Sequence, residues 1–504
     1  MNAPSSKISP VVAAGHEITA AVAGDVLADG GNAIDACIAA AFTAFVVEPV
    51  LAAPLGGAFL MYSPQTGPSR LMDAFVQTPR RALTEADVDI RGIEVDFGQA
   101  SQTFHIGAGT TAAPCLLQGL FDAHEGLGHM PMRSLIEPAC QLAREGHKIT
   151  SFQAHVLSLV APILGASEAS RAVYFQDDKL KSTGETLRNP ALADALETLG
   201  IEGPRLISEG EIGQALIACE GSHLTLTDMR RARPIWRDAL TLERANTRIE
   251  LNPPPSLGGI QIALGLETLP ARPDITTLAH CLAEIDRVRR ETGLNHDPQG
   301  ARKLMLNDAL MTRLRKVLEV HQAATRGTTH ISVIDANGDG AGLTLSNGEG
   351  NGIMLPGIGI MPNNMLGEDD LVPNGPLSWT PDTRLASMMC PVALRGGEGT
   401  LTMLGSGGSN RIRSALLQAS IRLIDFEMSL DQAIVFPRIH FEKDCLDFED
   451  LGSDQIREDL LNIWPDATPW RTSDMFFGGV HAVRSGPRGS DAAGDPRRAG
   501  ATWP

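Results

Sequence analysis

The chain has very little tyrosine and no excess of positive charge. Its 504 residues include two tyrosines, and 42 lysines and arginines stand against 60 acidic residues, giving a formal net charge of −18. Nucleic acids and anionic membranes attract clustered positive charge, and single-stranded nucleic acids also require aromatic stacking platforms. The composition therefore argues against a nucleic-acid or membrane partner.

The sequence also lacks regularly spaced cysteines, a leader and a long apolar run. The seven cysteines are scattered and include no CxxC pair, which argues against a zinc site or a disulfide framework and favours reduced thiols. No charged stretch followed by an apolar one opens the chain, so no secretory signal is visible. The most apolar run, residues 36–47, is shorter than the roughly 18 residues that a membrane span needs. We therefore expect a cytoplasmic protein in which this run is a buried helix.

Helical and strand patterns are mixed along the whole chain. A length of 504 residues suggests roughly two to four domains, or one large two-part enzyme fold. Hydrophobic spacing predicts helices at 16–27, 33–47 and 275–290 and through much of 111–200. It also predicts a hairpin formed by "PLGGAFLMYS" and "SRLMDAF". Residues 241–269 are predicted to form a strand, a proline loop and a helix, and residues 401–420 a strand, a glycine loop and a helix. With no regular alternation of strand and helix, the mixture indicates a layered α/β or α+β sandwich.

A second hairpin is predicted in "RGTTHISVIDANGDGAGLTLSN", residues 326–347. Residues 329–334 alternate polar and apolar, residues 337–340 can turn, and residues 343–345 can return. A helical pattern at 304–320 precedes it, followed by a small and polar connector. The strand therefore begins directly after Thr328.

Thr328 is the first candidate for a catalytic residue. A threonine hydroxyl becomes nucleophilic when a base lies within hydrogen-bond reach, and a free α-amine on the same residue, which titrates at about pH 7.7–8, can be that base. Freeing the amine requires a cut after Gly327, whose missing side chain leaves its carbonyl unobstructed. The alternative is a plain strand start, because β-branched residues favour strands.

Four further features each have a chemical and a structural interpretation. The glycine loop at 405–410 can present N–H groups to a phosphate or an oxyanion, or can serve only as a turn. The loop at 363–370 can hold a substrate ammonium through its acids, or be a solvated acidic loop. Ser387 can donate to a substrate or line the core. His330 can share a strand face with Thr328, but we expect it to be structural.

Taken in order, the motifs resemble one family over most of the chain. They are similar to those of the γ-glutamyltransferases, also called γ-glutamyltranspeptidases: "DVLADGGNAIDACIAAAFTAFVVEP", "PLGGAFLMYS", "PPPSLGG", "GTTHISVIDANGD", "LPGIGIMPNNML", "GSGGSNRI" and "MFFGGVHAVR…AAGDPRR". No single motif is decisive, but their shared order is. The resemblance favours the catalytic interpretation of Thr328.

The resemblance implies an N-terminal nucleophile hydrolase with an α+β fold, a four-layer αββα sandwich, that needs no metal or cofactor. It implies a precursor that cuts itself before Thr328 into a large subunit, residues 1–327, and a small subunit, residues 328–504, held together without a covalent link. In this family the matched threonine attacks an amide of a small molecule, and water or an amine then takes the acyl group. Whether the product forms a dimer of heterodimers is left open.

The resemblance also implies roles for residues around Thr328. Gly407 and Gly408 match the glycine pair that builds the oxyanion hole. Ser346 stands where the family usually has a second threonine, whose hydroxyl assists the nucleophile, so the residue changes but the chemistry does not.

Three further residues match substrate-binding positions. Asn347 matches a substrate-contacting asparagine. Asp370 matches the acid that binds the substrate α-amino group, in a loop that is longer here. Ser387 matches the first residue of a serine pair, and Met388 stands where the second would be.

The largest departure from the family pattern is at Phe75. The family carries an arginine here that clamps the substrate α-carboxylate, within a stretch reading Asp-x-Arg before a proline; this chain reads "DAFVQTP". A phenylalanine cannot replace a bidentate, planar carboxylate partner. Whether Arg80 or Arg81 substitutes from another direction is left open. We therefore expect a divergent member with altered acyl specificity.

Three hypotheses follow for function. The first is a self-processing amidohydrolase or acyltransferase in which Thr328 is the nucleophile. The second is an inactive family member that serves as a ligand-binding or structural subunit, because Phe75 and Met388 change the substrate pocket. The third is a phosphate or nucleotide site at 405–410, which lacks a following lysine and Walker-type spacing.

Overall fold

The computed structural model describes residues 8–96, 101–291, 327–372 and 374–504. The helical pattern at 304–320 lies outside these residues. In chain order the helices are α1 Glu17–Ala28, α2 Ala33–Val47, α3 Leu116–Leu127, α4 Met132–Glu145, α5 Ser151–Leu159, α6 Ala161–Leu164, α7 Glu168–Tyr174, α8 Pro190–Glu202, α9 Arg205–Ser208, α10 Glu211–Ile217, α11 Leu226–Arg231, α12 Leu257–Thr268, α13 Ile275–Glu291, α14 Arg411–Ile424, α15 Leu430–Val435 and α16 Asp454–Ile463.

The strands are distributed along the chain between these helices. They are β1 Val11–Ala14, β2 Gly57–Ser63, β3 Arg70–Ala74, β4 Arg91–Asp96, β5 Ser101–Ile106, β6 His147–Lys148, β7 Phe175–Gln176, β8 Lys179–Leu180, β9 Thr186–Leu187, β10 Ile235–Asp238, β11 Leu240–Arg244, β12 Thr247–Leu251, β13 Thr329–Ile334, β14 Gly340–Ser346, β15 Val392–Arg395, β16 Leu401–Gly407, β17 Ile439–Glu442, β18 Cys445–Phe448, β19 Thr468–Pro469, β20 Gly479–Gly486, β21 Gly489–Ala493 and β22 Ala501–Trp503.

Two antiparallel sheets form the centre of the molecule. The first has seven strands in the order β10-β3-β2-β14-β13-β1-β22, and the second has six in the order β11-β12-β15-β16-β20-β21. They pack face to face, with β13 and β14 against β16 and with β1 and β13 against β20. Antiparallel strands with alternating side chains allow each sheet to pack on both faces in this way.

Helices cover the outer face of each sheet. The first sheet carries α1, α2 and α3, and the second carries α12, α14 and α15. The order helices, sheet, sheet, helices is the αββα sandwich that was expected, and it is the environment that an all-apolar helix such as α2 requires. All fifteen residues of α2 are buried.

The start of α2 shows how local sequence fixes an element. The side chain of Asn32 accepts a hydrogen bond from the Asp35 N–H at 2.9 Å, and the Asp35 carboxylate accepts one from the Asn32 N–H at 3.1 Å. This reciprocal capping box satisfies two backbone donors that a helix start leaves unpaired. The helix therefore begins at Ala33, as the spacing predicts.

Most predicted elements are confirmed, with one correction. The hairpin of β13 and β14, the hairpin of β2 and β3, and helices α1, α2 and α13 lie where expected. The stretch before the proline loop was expected to be one strand but is a hairpin, β11 and β12. Its turn residues Ala245 and Asn246 have φ values of 47° and 61°. Asparagine tolerates this left-handed geometry, which the strand-like composition around it concealed.

No helix among the described residues is long and apolar enough to span a membrane.

Candidate active site

Thr328 lies at the entrance to β13, between the two sheets. Along this strand Ile331 and Val333 pack into the core that contains α2, whereas His330 and Ser332 face the second sheet. Because side chains alternate along a strand, the Thr328 side chain lies on the same face as those of His330 and Ser332. Thr328 is 3% exposed and lines a cavity whose wall also includes Ser346 of β14, the 365–371 loop and the 386–389 segment before β15.

Two hydroxyl groups converge on the peptide before Thr328. The Thr328 hydroxyl donates a hydrogen bond to the Gly327 carbonyl oxygen at 2.5 Å, and the Ser346 hydroxyl donates to the same oxygen at 3.0 Å. The Gly348 N–H donates to Ser346 Oγ at 3.1 Å and so orients that hydroxyl. A carbonyl that accepts two hydroxyl protons is polarised, and one of those hydroxyls belongs to the nucleophile candidate.

The glycine pair lies on the opposite side of Thr328. A Cβ added to Gly407 would lie 2.1 Å from the Thr328 carbonyl oxygen, so only glycine permits this approach. Gly408 has a φ of 117°, which strongly favours glycine. The pair thus adjoins the nucleophile candidate as the resemblance implies, and its part in an oxyanion hole stays a prediction.

The Arg498 side chain binds the main chain of Thr328 close to the glycine pair. Its guanidinium donates to the Thr328 carbonyl at 3.4 Å and to the Met475 carbonyl at 3.2 Å. It also fills the space beside Gly407 and Gly408, because a Cβ added to either would lie within 3.3 Å of its nitrogens. The loop therefore surrounds protein groups rather than an open phosphate cradle. Sequence reasoning missed Arg498, although it ends the quoted motif "AAGDPRR".

Glu48 is a second residue that sequence reasoning missed. The Thr329 hydroxyl donates to its carboxylate at 2.7 Å and the Thr19 hydroxyl at 3.1 Å. Burial raises the pKa of Glu48 to about 7, although both hydrogen bonds lower it. Glu48 therefore ties β13 to the ends of α1 and α2 from the face opposite the cavity. Its only sequence signal was its place at the end of the apolar run.

Three of the four residues expected to bind substrate line the cavity. Phe75, Asp370 and Ser387 are all part of its wall, as is Met388. Asn347 is not among the described lining residues: its amide donates to the Met361 carbonyl at 3.2 Å. Its role in substrate binding stays a prediction, and the contact seen here holds the following loop in place.

The 363–370 loop is more buried than a solvated acidic loop would be. Asn363 and Asn364 are fully buried and Glu368 is 7% exposed. The Asn363 amide donates to the carbonyls of Leu55 and Ala112 at 2.8 and 3.0 Å, so its first half is structural. The solvated interpretation is therefore wrong for that half, because the amide side chains satisfy buried main-chain groups. Asp370, further along, accepts a hydrogen bond from Ser409 at 3.0 Å.

His330 is structural, as expected. Its Nδ1 is 2.8 Å from Thr344 Oγ1 and its Nε2 is 2.8 Å from Ser332 Oγ, so both ring nitrogens are engaged between the sheets. Burial lowers the pKa of His330 well below its usual value, with a further contribution from His481. The ring is therefore neutral near pH 7 and does not contact the Thr328 hydroxyl.

Neither Arg80 nor Arg81 points into the cavity. Arg80 forms an ion pair with Asp382. The Arg81 guanidinium donates to the carbonyls of His223 and Ser222 at 3.0 and 3.3 Å. Neither is therefore placed to replace the missing arginine at position 75.

Within the described ranges, no group of three or more His, Cys, Asp or Glu side chains is placed to hold a metal ion.

Sequence comparison matches nearly the whole chain to known proteins. The family model described as gamma-glutamyltranspeptidase matches residues 19–504. The chain is 27% identical to the acylase ACY 1 proenzyme of Pseudomonas sp. strain SE83, over 97% of this chain and 92% of that protein. It is 26% identical to the glutathione hydrolase proenzyme of Pseudomonas aeruginosa, over 97% of this chain and 93% of that protein.

Solved structures with the same fold extend this similarity. Cephalosporin acylase from Bacillus halodurans superposes with a TM-score of 0.83 at 20% identity, covering 100% of this chain and 99% of that one. The gamma-glutamyltranspeptidase of Helicobacter pylori gives a TM-score of 0.53 at 19% identity, covering 64% of this chain and 95% of that one. At these identities the likeness concerns the fold.

Proposed function

The chain belongs to the gamma-glutamyltranspeptidase family, and we propose that it is a self-processing amidohydrolase or acyltransferase whose nucleophile is Thr328. Its membership makes it an enzyme of the N-terminal nucleophile hydrolase type, and the αββα sandwich is the fold of that type. The observation that carries the proposal is the convergence of the Thr328 and Ser346 hydroxyls on the Gly327 carbonyl.

Self-cleavage follows from this geometry. Thr328 Oγ attacks the Gly327 carbonyl carbon while Ser346 stabilises the developing oxyanion. The hydroxyl proton passes to the Thr328 nitrogen, the peptide C–N bond breaks, and an ester between Gly327 and Thr328 Oγ forms. Water then hydrolyses the ester, which leaves a Gly327 carboxylate and a free α-amine on Thr328.

The same groups then act on an external amide. The new α-amine is the base that takes the Thr328 hydroxyl proton, and the hydroxyl attacks the substrate carbonyl. The tetrahedral oxyanion is stabilised by the Gly407 and Gly408 amides and the hydroxyl of Ser346 assists. The amine leaves with the proton, and water or another amine releases the acyl group from Thr328.

The sheet topology supports a two-subunit product, residues 1–327 and 328–504. In the first sheet β13 and β14 of the small subunit lie between β2 and β1 of the large one. In the second sheet β12 of the large subunit pairs with β15 of the small one. A cut before β13 therefore leaves both sheets continuous, so no covalent link is needed to hold the parts together.

Altered acyl specificity is the remaining part of the proposal. The apolar Phe75 and Met388 stand at positions that the resemblance assigns to substrate recognition, and both line the cavity at Thr328. An enzyme with this cavity is expected to accept an acyl group other than γ-glutamyl.

The intact mass of the freshly purified protein under denaturing conditions tests the proposal. We expect two fragments, one ending at Gly327 and one starting at Thr328. Thr328→Ala should yield one uncut and inactive chain, because alanine has no hydroxyl, whereas Thr328→Ser keeps the hydroxyl and should be cut. A cut, active Thr328→Ala protein would show that another residue is the nucleophile.

A further inference from the structure

The cavity at Thr328 has a wall that suits one class of acyl group. We infer that it accepts a neutral, apolar acyl chain and selects against acyl chains that carry a carboxylate. This inference rests on the proposed function, because it names the substrate class of the same site.

The wall of the cavity is mainly apolar. Its polar groups are the hydroxyls of Thr328, Ser346, Ser387 and Ser409 and two carboxyl groups. No arginine, lysine or histidine is among the described residues that line it. Its large apolar side chains are Phe75, Leu257, Met365, Leu371, Met388, Met389 and Ile412. An acyl chain in this space exchanges water for apolar contacts, which favours hydrocarbon.

Two arginines lie close to this wall, but neither is among the residues that line the cavity. The Arg384 guanidinium donates to the backbone carbonyls of Phe75 and Arg233 and lies 3.8 Å from the Asp73 carboxylate. Arg411, next to the lining residue Ile412, is fully buried: its guanidinium stacks on Phe476 at 4.3 Å and lies 3.7 Å from Glu442. Neither reaches the cavity surface, so a substrate carboxylate would enter it without a cation.

The charges that the cavity does present are negative. Asp370, which accepts a hydrogen bond from Ser409 at 3.0 Å, and Glu368 both belong to its wall. Two acids beside an apolar surface repel a substrate carboxylate and do nothing to offset its lost hydration. The electrostatics and the apolar wall therefore select in the same direction.

Phe75 and Met388 are the specificity-determining residues of this wall. Phe75 is 2% exposed and its ring stacks on Phe59 with centroids 5.5 Å apart, so it is held in place. The Met388 sulfur accepts a hydrogen bond from the Gln261 amide at 3.5 Å. Phe75 is therefore a fixed part of the wall, and Met388 has a polar partner at its sulfur.

Matched amides test the inference on the self-cleaved wild-type enzyme. Pentanoyl and glutaryl p-nitroanilides have acyl chains of equal carbon number and differ by one terminal carboxylate; γ-glutamyl p-nitroanilide adds the α-amino group. We expect kcat/KM for the pentanoyl compound to exceed that for the glutaryl compound by at least about 100-fold, given what an unpaired buried charge costs, and to exceed that for the γ-glutamyl compound by a smaller factor, because the ammonium of that compound can pair with Asp370. An equal or higher value for the glutaryl or γ-glutamyl compound would overturn the inference.

If none of the three anilides turns over, formation of the acyl-enzyme can be measured instead. The corresponding p-nitrophenyl esters are better acyl donors, and the mass of the 328–504 fragment reports which acyl group it has gained. A pentanoyl adduct in clear excess supports the inference. A glutaryl adduct in excess, or no adduct at all on a cut enzyme, contradicts it.

Substitutions in the cavity wall test which residues determine the preference between acyl groups. Phe75→Arg should raise the ratio of glutaryl to pentanoyl kcat/KM by at least about tenfold, since it supplies the missing cation, and Phe75→Leu is the apolar control that should keep the wild-type preference. If the arginine variant does not fold, Met388→Ser should lower the ratio of pentanoyl to glutaryl kcat/KM, because it removes apolar surface from the wall. An unchanged preference in a folded Phe75→Arg or Met388→Ser protein contradicts the assignment.

Failure of the inference can be told apart from failure of the proposed function. The mass measurement comes before the assays, so an uncut wild-type chain contradicts the proposed function and the inference that rests on it. A cut enzyme that prefers a charged acyl group contradicts the inference alone.

Discussion

At the scale of single residues, the chemistry is concentrated in the hydrogen bonds around one peptide group. Ser346 is the instructive residue, because it replaces the threonine usual in the family and still places its hydroxyl 3.0 Å from the Gly327 carbonyl oxygen. The Gly348 N–H donates to that hydroxyl and fixes its orientation. The position therefore requires a hydroxyl group but not the methyl group of threonine.

Ser346→Ala is expected to slow self-cleavage by about 100-fold, because removing one oxyanion donor typically has an effect of this size. Ser346→Thr keeps the hydroxyl and is the matched control, expected to cut at nearly the wild-type rate. The fraction of cut chain, followed by denaturing mass measurement after purification, gives both rates. Cleavage of Ser346→Ala at the wild-type rate would remove Ser346 from the mechanism.

At the scale of elements, β13 separates two environments. Its Thr328, His330 and Ser332 side chains face the second sheet, while Thr329, Ile331 and Val333 face the helix layer. The Thr329 hydroxyl binds the buried Glu48 at the end of α2. The strand that carries the proposed nucleophile is thus also held by a contact on its opposite face.

Glu48 makes stability depend on pH in a definite direction. Its pKa rises from 4.5 in the reference state to about 7 in the fold. Its contribution to stability is therefore fully present below pH 4.5 and is lost as the pH rises through about 7. Relative to Glu48→Gln, the wild-type protein should lose about 2 kcal/mol of unfolding free energy between pH 5 and pH 8.

Chemical denaturation of both proteins across this pH range measures the difference. Glu48→Gln keeps the shape of the side chain but cannot ionise, so other titrating groups cancel in the comparison. A difference that does not change with pH would mean that Glu48 is ionised in the fold throughout.

At the scale of the whole molecule, the two parts of the chain are interleaved rather than adjacent. In the first sheet, strands β14 and β13 of 328–504 lie between strands of 1–327, and β22 of 328–504 pairs with β1 of 1–327. The second sheet also combines strands of both parts. The proposed cut before Thr328 would therefore remove one covalent bond but none of the strand pairing described here.

The two fragments of the cut protein should stay together in native buffer. We expect a single peak containing both fragments in size-exclusion chromatography and separation only in denaturant, because both sheets would have to lose strand pairs. Thr328→Ala, which keeps the chain intact, is the size reference. Fragments that separate without denaturant would contradict the interleaved arrangement. Whether two heterodimers associate further, and where in the cell they act, stay predictions.

The fold was predictable where the signal is local, and the site was predictable only in part. The β13–β14 hairpin, α2 and the glycine end of β16 follow from periodicity, capping and turn residues that are close together in the sequence. The cavity wall joins Phe75, Leu257, Met365 and Ile412 from separate segments. No pattern within any one of those segments indicates that they meet.

By itself, the sequence determined the order of the elements, the family and the identity of Thr328 as the nucleophile candidate. Only the tertiary structure decided that Arg80 and Arg81 point elsewhere, that Arg498 holds the Thr328 carbonyl and that Glu48 binds Thr329. The physical reason is how far apart in the sequence the interacting residues are. Backbone periodicity and turns depend on neighbours in the chain, whereas the direction of a charged side chain depends on the partner that offsets its lost hydration, and here those partners are mostly more than a hundred residues away.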